Sequence, residues 1–244
     1  MSRQRLRTAA MALMLAGGLY TGGSPVEVAG QGAESIVQGV VEAYGGHDQL
    51  MAVEAVRLHA TMRARTTGQD AAVIRIAEGP SHLKVMIHYP SRVEIRVVDG
   101  AKGWRGTTPQ NMTEVRGPQW AAMALQAARS NIPWILLEYP ITAVSSLGNG
   151  IVGLELSPAE DLRLRALVDT DSYHIVASES VLSVGSMEMV FRTEYSDFRE
   201  FEGLLFAYHE ENYAAGTHTA SVQIESLQVN PPPNERKLPA GPGA

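Results

Sequence analysis

Leu58-His59-Ala60-Thr61-Met62-Arg63-Ala64-Arg65, the turn Thr67-Gly68-Gln69-Asp70, and Ala72-Val73-Ile74-Arg75-Ile76 decide the fold class. Leu58, Ala60, Met62 and Ala64 alternate with polar residues, which is the period of a half-buried strand. After four turn residues Ala72, Ile74 and Ile76 resume the alternation. Strands joined by so short a turn are antiparallel neighbours, because parallel pairing needs a long crossover. The pattern continues outward. Leu83, Val85, Ile87 and Tyr89 alternate with His82, Lys84, Met86 and His88; Pro90-Ser91 turns the chain into Val93, Ile95 and Val97; Asp99-Gly100 turns it again before Trp104.

On the N-terminal side, Ile36, Val37, Val40, Val41 and Tyr44 repeat at helical spacing and end at Gly45-Gly46, with a second short helix expected from Asp48 to about Ala55. On the C-terminal side the meander is interrupted once. Trp120, Met123, Ala124 and Ala127 lie at i, i+3, i+4 and i+7, and after Pro133 the run Trp134-Ile135-Leu136-Leu137 is apolar all round, so a buried helical insert is expected. Strands resume at 141–147, 151–156, 162–169, 173–180, 186–195, 204–213 and 218–229. The last changes phase between Ile224 and Leu227, which predicts a bulge at Glu225-Ser226. The fold class is α+β: one curled antiparallel sheet of about ten or eleven strands, an incomplete β-barrel, covering a short helical insert.

The 244 residues carry 20 Lys+Arg and 26 Asp+Glu, a formal charge of -6, with 45% hydrophobic residues and no cysteine. That balance argues against a nucleic-acid partner. Without cysteine there is no disulfide, thiol catalysis or Cys-ligated metal. Arg3, Arg5 and Arg7, the apolar stretch Thr8–Leu19 and small residues through Gly30 read as a cleavable signal peptide occupying 1–31, cut around Ala29 to Ala33. Removing its three arginines and Glu27 leaves 17 basic and 25 acidic residues, a charge of -8 on the exported chain. The organisation expected is a leader at 1–31, a single domain at 32–230 and a Pro/Gly-rich disordered tail at 231–244.

The signals of catalysis are weak. Gly148-Asn149-Gly150-Ile151-Val152-Gly153 matches G-x-G-x-x-G, but strand residues follow where a dinucleotide site needs a helix, so a hairpin is expected. His82 and His88 share a strand face but stand roughly 20 Å apart, too far for one metal. His209-Glu210-Glu211 reads as a solvated strand end, and Glu155, Glu160 and Asp161 sit near a turn. There is no G-x-S-x-G elbow. No catalytic residue, metal or cofactor is assigned.

Four segments, in order and spacing, carry a resemblance: Val41-Glu42-Ala43-Tyr44-Gly45-Gly46-His47-Asp48-Gln49-Leu50-Met51-Ala52-Val53; Asp99-Gly100-Ala101-Lys102-Gly103-Trp104; Ser196-Asp197-Phe198-Arg199-Glu200-Phe201-Glu202-Gly203-Leu204-Leu205; and Val222 to Asn230, ending Val229-Asn230-Pro231. They span about residues 36–231 and resemble the outer-membrane lipoprotein carrier and lipoprotein-sorting family, the LolA/LolB-like half-barrel proteins. The chain departs from that pattern at Phe206-Ala207, where the family has a leucine–proline step, and no arginine corresponding to the family's lid latch is identified.

The resemblance implies an apolar cavity for acyl chains. The expected function is therefore an exported, periplasmic, non-catalytic binding protein or carrier of a lipid or acylated protein cargo. It is expected as a monomer, with a membrane-protein partner as a further expectation. An envelope sensory module of the same fold is the alternative, and a hydrolase using a cavity site the third reading. The expected cavity wall is Met62, Met86, Ile95, Trp104, Trp120, Met123, Trp134 and Leu136.

Overall fold

The computed structural model describes residues 31–159, 162–184 and 187–238. Residues 1–30 of the expected leader at 1–31, and residues 239–244 of the expected tail, lie outside the described residues.

Two helices, α1 (Gln31–Ala43) and α2 (His47–Met51), precede strands β1 (Val56–Ala64), β2 (Asp70–Ala77), β3 (His82–Tyr89), β4 (Arg92–Asp99), β5 (Lys102–Thr108) and β6 (Asn111–Val115). The helical insert follows as α3 (Pro118–Ser130) and α4 (Trp134–Glu138). Strands β7 (Ile141–Gly148), β8 (Ile151–Ala159), β9 (Leu162–Asp169), β10 (Ile175–Val184), β11 (Met187–Phe201), β12 (Leu204–Ala214) and β13 (Thr217–Val229) complete the chain. All thirteen form one antiparallel sheet in the order β6-β5-β4-β3-β2-β1-β13-β12-β11-β10-β9-β8-β7. The strand that opens the meander and the strand that ends it therefore pair in the middle, and β6 and β7 are free edges.

About ten or eleven strands were expected and thirteen are present among the described residues. The difference lies largely at β5 and β6. β6 is short, polar and mostly exposed, so it carries no alternation, yet it pairs with β5 through Trp104↔Glu114 and Gly106↔Met112. The bulge falls where the phase change places it: His59 pairs with Ser226 and Ala60 with Ile224, leaving Glu225 extra. Gly148-Asn149-Gly150 is the β7–β8 hairpin turn, with φ of 80, 51 and 74°.

α3 crosses the concave face, touching β3, β4 and β5 on one arm and β9 and β10 on the other. The core divides accordingly. One cluster joins β1–β4, β12 and β13 around Leu58, Val73, Val85, Ile87, Val222 and Ile224; the other joins α1, α2 and α4 to β8–β10 around Val40, Leu50, Ile135, Leu154, Leu164 and Ile175.

Three of the four resemblance segments, 41–53, 196–205 and 222–230, meet at the end capped by the N-terminal helices. Gly45 (φ 118°) lies so close to the Gly203 carbonyl that a Cβ would stand 2.5 Å from its oxygen, so any side chain there would force the hairpin away. The Tyr44 hydroxyl accepts the buried Ile175 N–H at 3.1 Å. Asn230, at φ 49°, ties the end of β13 to the segment before β1: its Oδ1 accepts from the Glu54 and Ala55 amides at 2.7 and 3.2 Å, and its Nδ2 donates to the Ala52 carbonyl at 2.8 Å. Residues 231–238 then cross the outer face, where Arg57 donates to the Glu235 carbonyl and Lys84 to the Arg236 carbonyl. Ile76, between Arg57 and Lys84 in the ladder, is fully buried.

Each net hydrogen bond contributes about 1 kcal/mol, and αL backbone disfavours alanine more than asparagine or glycine. Asn230→Ala is therefore expected to lower stability by about 2–3 kcal/mol, and Asn230→Gly by somewhat less. Thermal unfolding followed by circular dichroism checks both; an unchanged midpoint in Asn230→Ala would remove this tie from the account.

Candidate functional site

The faces of β2, β3 and β4 follow from the ladder. Leu58 pairs with Arg75, Arg75 with Val85, Val85 with Arg96 and Arg96 with Arg105, so these residues share the concave face. His59, Ile74, Met86, Ile95 and Gly106 form the next row, on the convex face. β2 and β4 thus present Val73, Arg75, Ala77, Glu94, Arg96 and Val98 inward. That is the reverse of the assignment by hydrophobicity, because charged residues occupy inward positions while the convex face is itself apolar and partly covered.

The concave face and α3 enclose a cavity of about 400 Å³ lined by Met62, Val73, Val85, Ile87, Phe191 and Val222, among others. It runs from the middle of the barrel toward Thr66, Tyr89 and the β12–β13 turn. Its size falls within the range of small-molecule sites. On the other side of the barrel's middle a smaller space of about 90 Å³ reaches Val53, Ala55, Ile132 and Phe206 beneath α2 and α4. Met187 and Met189, 70% and 42% exposed, continue the inward face of Phe191 along β11 beyond the larger cavity.

The eight expected wall residues do not form one wall. Met62 lines the large cavity and Trp134 the small one, where its indole N–H donates to the Leu50 carbonyl at 2.9 Å. Trp120 lines a separate apolar cleft of about 240 Å³ with Ala124 and Tyr139. Met123 and Leu136 are 5% exposed and pack in the two halves of the core. Met86, Ile95 and Trp104 are on the convex face and do not line the cavity, because β3, β4 and β5 turn those positions outward.

Between the two spaces lies a polar cluster that sequence reasoning missed. Arg75 and Glu210 form a two-pronged pair, Nη2–Oε1 at 2.5 Å and Nη1–Oε2 at 3.1 Å, with both side chains largely buried. Burial pulls the Arg75 guanidinium down, but the Glu210 charge and hydrogen bonds outweigh it and hold it above its ordinary value. Tyr195 hydrogen-bonds Ser178 Oγ at 2.8 Å, and burial, reinforced by the Glu210 charge, pushes its hydroxyl up to about 12. Arg129, in the last turn of α3, donates to Ser180 Oγ at 2.7 Å, and Ser178 and Ser180 are completely buried. Burial pulls the Arg129 guanidinium down, and the Tyr195 and Glu210 groups only partly offset this. The signal for this cluster was present in Arg75, a charge at an inward position between Val73 and Ala77, but it was indistinguishable from a solvent-facing residue without the register.

The residues that had suggested chemistry are otherwise employed. Among the described residues no group of three or more His, Asp or Glu side chains is arranged to hold a metal ion. His82 pairs with Asp99 at 3.0 Å, and Glu155 with Arg165; Glu160 and Asp161 lie outside the described residues. On the convex face Glu211 gathers His209, His218 and Ser221. Glu211 and Ser221 both approach Nε2 of His218, at 2.5 and 3.5 Å. A nucleophile–base–acid relay needs the carboxylate on the other ring nitrogen, so this cluster is not a triad.

Removing one member of a buried ion pair strands the other, at a cost of about 3–5 kcal/mol. Glu210→Gln is expected to lose stability of that order, and the double change Arg75→Met with Glu210→Met to lose less than the single one. Urea unfolding read by tryptophan fluorescence compares them; a Glu210→Gln protein within about 1 kcal/mol of wild type would mean the pair is not buried as described.

No protein-family model matches the chain, and no curated protein matches it. Solved structures do. A LolA superfamily protein from Nitrosomonas europaea matches at 16% identity, over 83% of this chain and 96% of that one, with a TM-score of 0.54. A domain named for outer membrane lipoprotein sorting, from Vibrio parahaemolyticus, matches at 10% identity over 84% and 97%, TM-score 0.54. A DUF1329 family protein from Desulfovibrio piger matches at 12% over 81% and 93%, TM-score 0.52. At such identities the likeness is one of fold, a curled antiparallel sheet over helices, and it agrees with the fold implied by the resemblance of the four sequence segments.

Proposed function

We propose that the protein is a periplasmic, non-catalytic carrier or binding protein for a lipid or lipidated cargo, exported by the leader at 1–31 and acting as a monomer. The observation that carries this reading is the cavity of about 400 Å³ between α3 and the concave face, where aliphatic and aromatic side chains such as Met62, Val85, Ile87 and Phe191 share the lining with polar ones such as Gln126 and Asn212. Each methylene transferred from water into such surroundings gains about 0.8 kcal/mol, so even part of an acyl chain binds measurably. Met62 suits an adaptable wall, since an unbranched thioether reshapes around a chain-like ligand. The neighbours' names supply the cargo class, lipoprotein sorting, as a proposal for this chain.

The test fills the cavity rather than emptying the core. Trp134 anchors α4 to α2 and sits against Phe206, so replacing it would confound folding with binding. Met62 is only half-buried, and Met62→Trp inserts bulk where the chain would lie. The protein is purified gently from a bacterial periplasm and analysed by native mass spectrometry, organic extraction and uptake of labelled palmitoyl lipid. Wild type and the exposed-surface variant Arg163→Ala are expected to bind near one lipid per chain, and Met62→Trp to lose at least tenfold in uptake with its thermal midpoint within a few degrees. Wild-type protein that is homogeneous, unliganded and inert to labelled lipid would overturn the carrier reading. Binding without transfer to acceptor membranes would favour the sensory module instead.

A further inference from the structure

The charges facing the cavity do not balance. Glu210 gives both oxygens to Arg75, and Glu94 is shared between Arg96 at 2.7 Å and Arg105 at 2.8 Å. Arg129 has no carboxylate within salt-bridge distance among the described residues. Its one side-chain partner is the neutral hydroxyl of Ser180, and the ring of Phe191 lies 5.6 Å from its guanidinium carbon. The large cavity is therefore lined by three arginines, Arg75, Arg96 and Arg129, against one glutamate, Glu210, in a chain whose net charge is -6.

An uncompensated guanidinium in the interior is penalised by several kcal/mol unless an anion or water meets it. Arg129 is placed for an anion. It borders the large cavity and the small one alike, at the inner end of the space that begins near Thr66 and Tyr89. Its planar fork presents paired donors matching the two oxygens of a carboxylate or phosphate. Ser180 and Phe191 fix the fork from two sides, leaving the remaining donors for a ligand.

Resting on the cavity reading above, we propose that Arg129 receives the anionic oxygens of an acyl amphiphile whose chain occupies the large cavity, so that the preferred cargo is an acidic lipid rather than a neutral acyl group. The acid lies innermost and the chain extends toward Tyr89 and the β12–β13 turn. The selectivity is for the anionic oxygens, supplied either by a carboxylate or by a phosphate.

Binding to the mature chain is measured by displacement of a fluorescent fatty-acid probe and by native mass spectrometry, using palmitic acid, hexadecyl phosphate, hexadecanol, acetate and inorganic phosphate. In wild type one or both acids are expected to bind at least tenfold tighter than hexadecanol, and whichever acid binds tighter identifies the headgroup. Acetate and phosphate alone are expected to be at least a hundredfold weaker than their acyl counterparts. Arg129→Met, which removes a charge without opening a large gap, is expected to abolish the preference for acids while hexadecanol affinity stays the same or rises. Arg129→Lys retains part of the preference. Equal affinity of wild type for acid and alcohol, or an Arg129→Met protein that keeps its preference, overturns the proposal while leaving the carrier reading standing. Inorganic phosphate binding as tightly as hexadecyl phosphate marks a plain anion site and overturns it too. If no long-chain compound binds wild type, the cavity reading fails first.

Discussion

The thirteen-residue helix α3 bridges the two arms of a thirteen-stranded sheet while α1, α2 and α4 cover one end of its concave side, and the space these helices leave unfilled sets most of the protein's character. α3 is about 20 Å long and reaches both arms of the curl, touching β3–β5 and β9–β10. It is rich in alanine, and Ala127 and Ala128 pack with essentially no exposure, so its close-fitting side holds the arms together. Its bulk is too small to occupy the space beside β1, β2, β12 and β13. The interior that remains is lined by apolar and polar side chains together, with its buried charges Arg75 and Glu210 at the middle. A sheet closed into a barrel would have had to fill that interior with its own side chains; an open sheet clamped by one helix keeps it.

The polar middle determines which part of this space is usable. A core of this size could have been completed with aliphatic residues at 75, 129 and 210, and such replacements are generally neutral or stabilising where charges are buried. Arg75 and Glu210 instead cross-link β2 to β12, three places apart in the strand order, through two hydrogen bonds. With Tyr195 and Arg129 they divide the apolar volume into a shallow space under the helical cap and a larger one open toward the far turns. The cap side is reinforced by Trp134 on Leu50, by Tyr44 on Ile175 and by Asn230 on the segment 52–55. The exposed apolar residues Met187 and Met189 lie on the far side.

The architecture was legible in the sequence because it rests on local signals. Alternation and tight turns identified the antiparallel sheet, the phase change at Ile224–Leu227 located the bulge, and the insert's apolar spacing located α3 and α4. β6 was missed because an exposed edge strand has no buried face to impose a pattern. The cavity wall was misread for a related reason. On β2 and β4 the apolar residues Ile74, Ile76 and Ile95 point to the convex side, where segment 231–238 and long neighbouring side chains cover part of them, while Arg75, Glu94 and Arg96 point in. Hydrophobicity indicates the side that is dry, and in this sheet both sides are partly dry. Only the register tells them apart.

The residues behind the family resemblance explain why fold carries across to this chain more readily than cargo. Tyr44, Gly45, Gly203 and Asn230 come from separate segments, yet all lie at the capped end, where they join the helices to the sheet. Gly45 and Gly203 are restricted by backbone geometry, since each adopts positive φ and a Cβ on either would crowd a neighbour. Such constraints persist whatever the barrel holds, because they concern closing its end. The large cavity is lined by residues interchangeable in kind, Met62, Val73, Val85, Ile87 and Val222, with Arg75, Arg129 and Glu210 at its inner end. A likeness built on the capped end specifies that a cavity exists. Arg75, Arg129 and Glu210 fall in none of the four segments, so the likeness does not extend to the charges at the cavity's inner end.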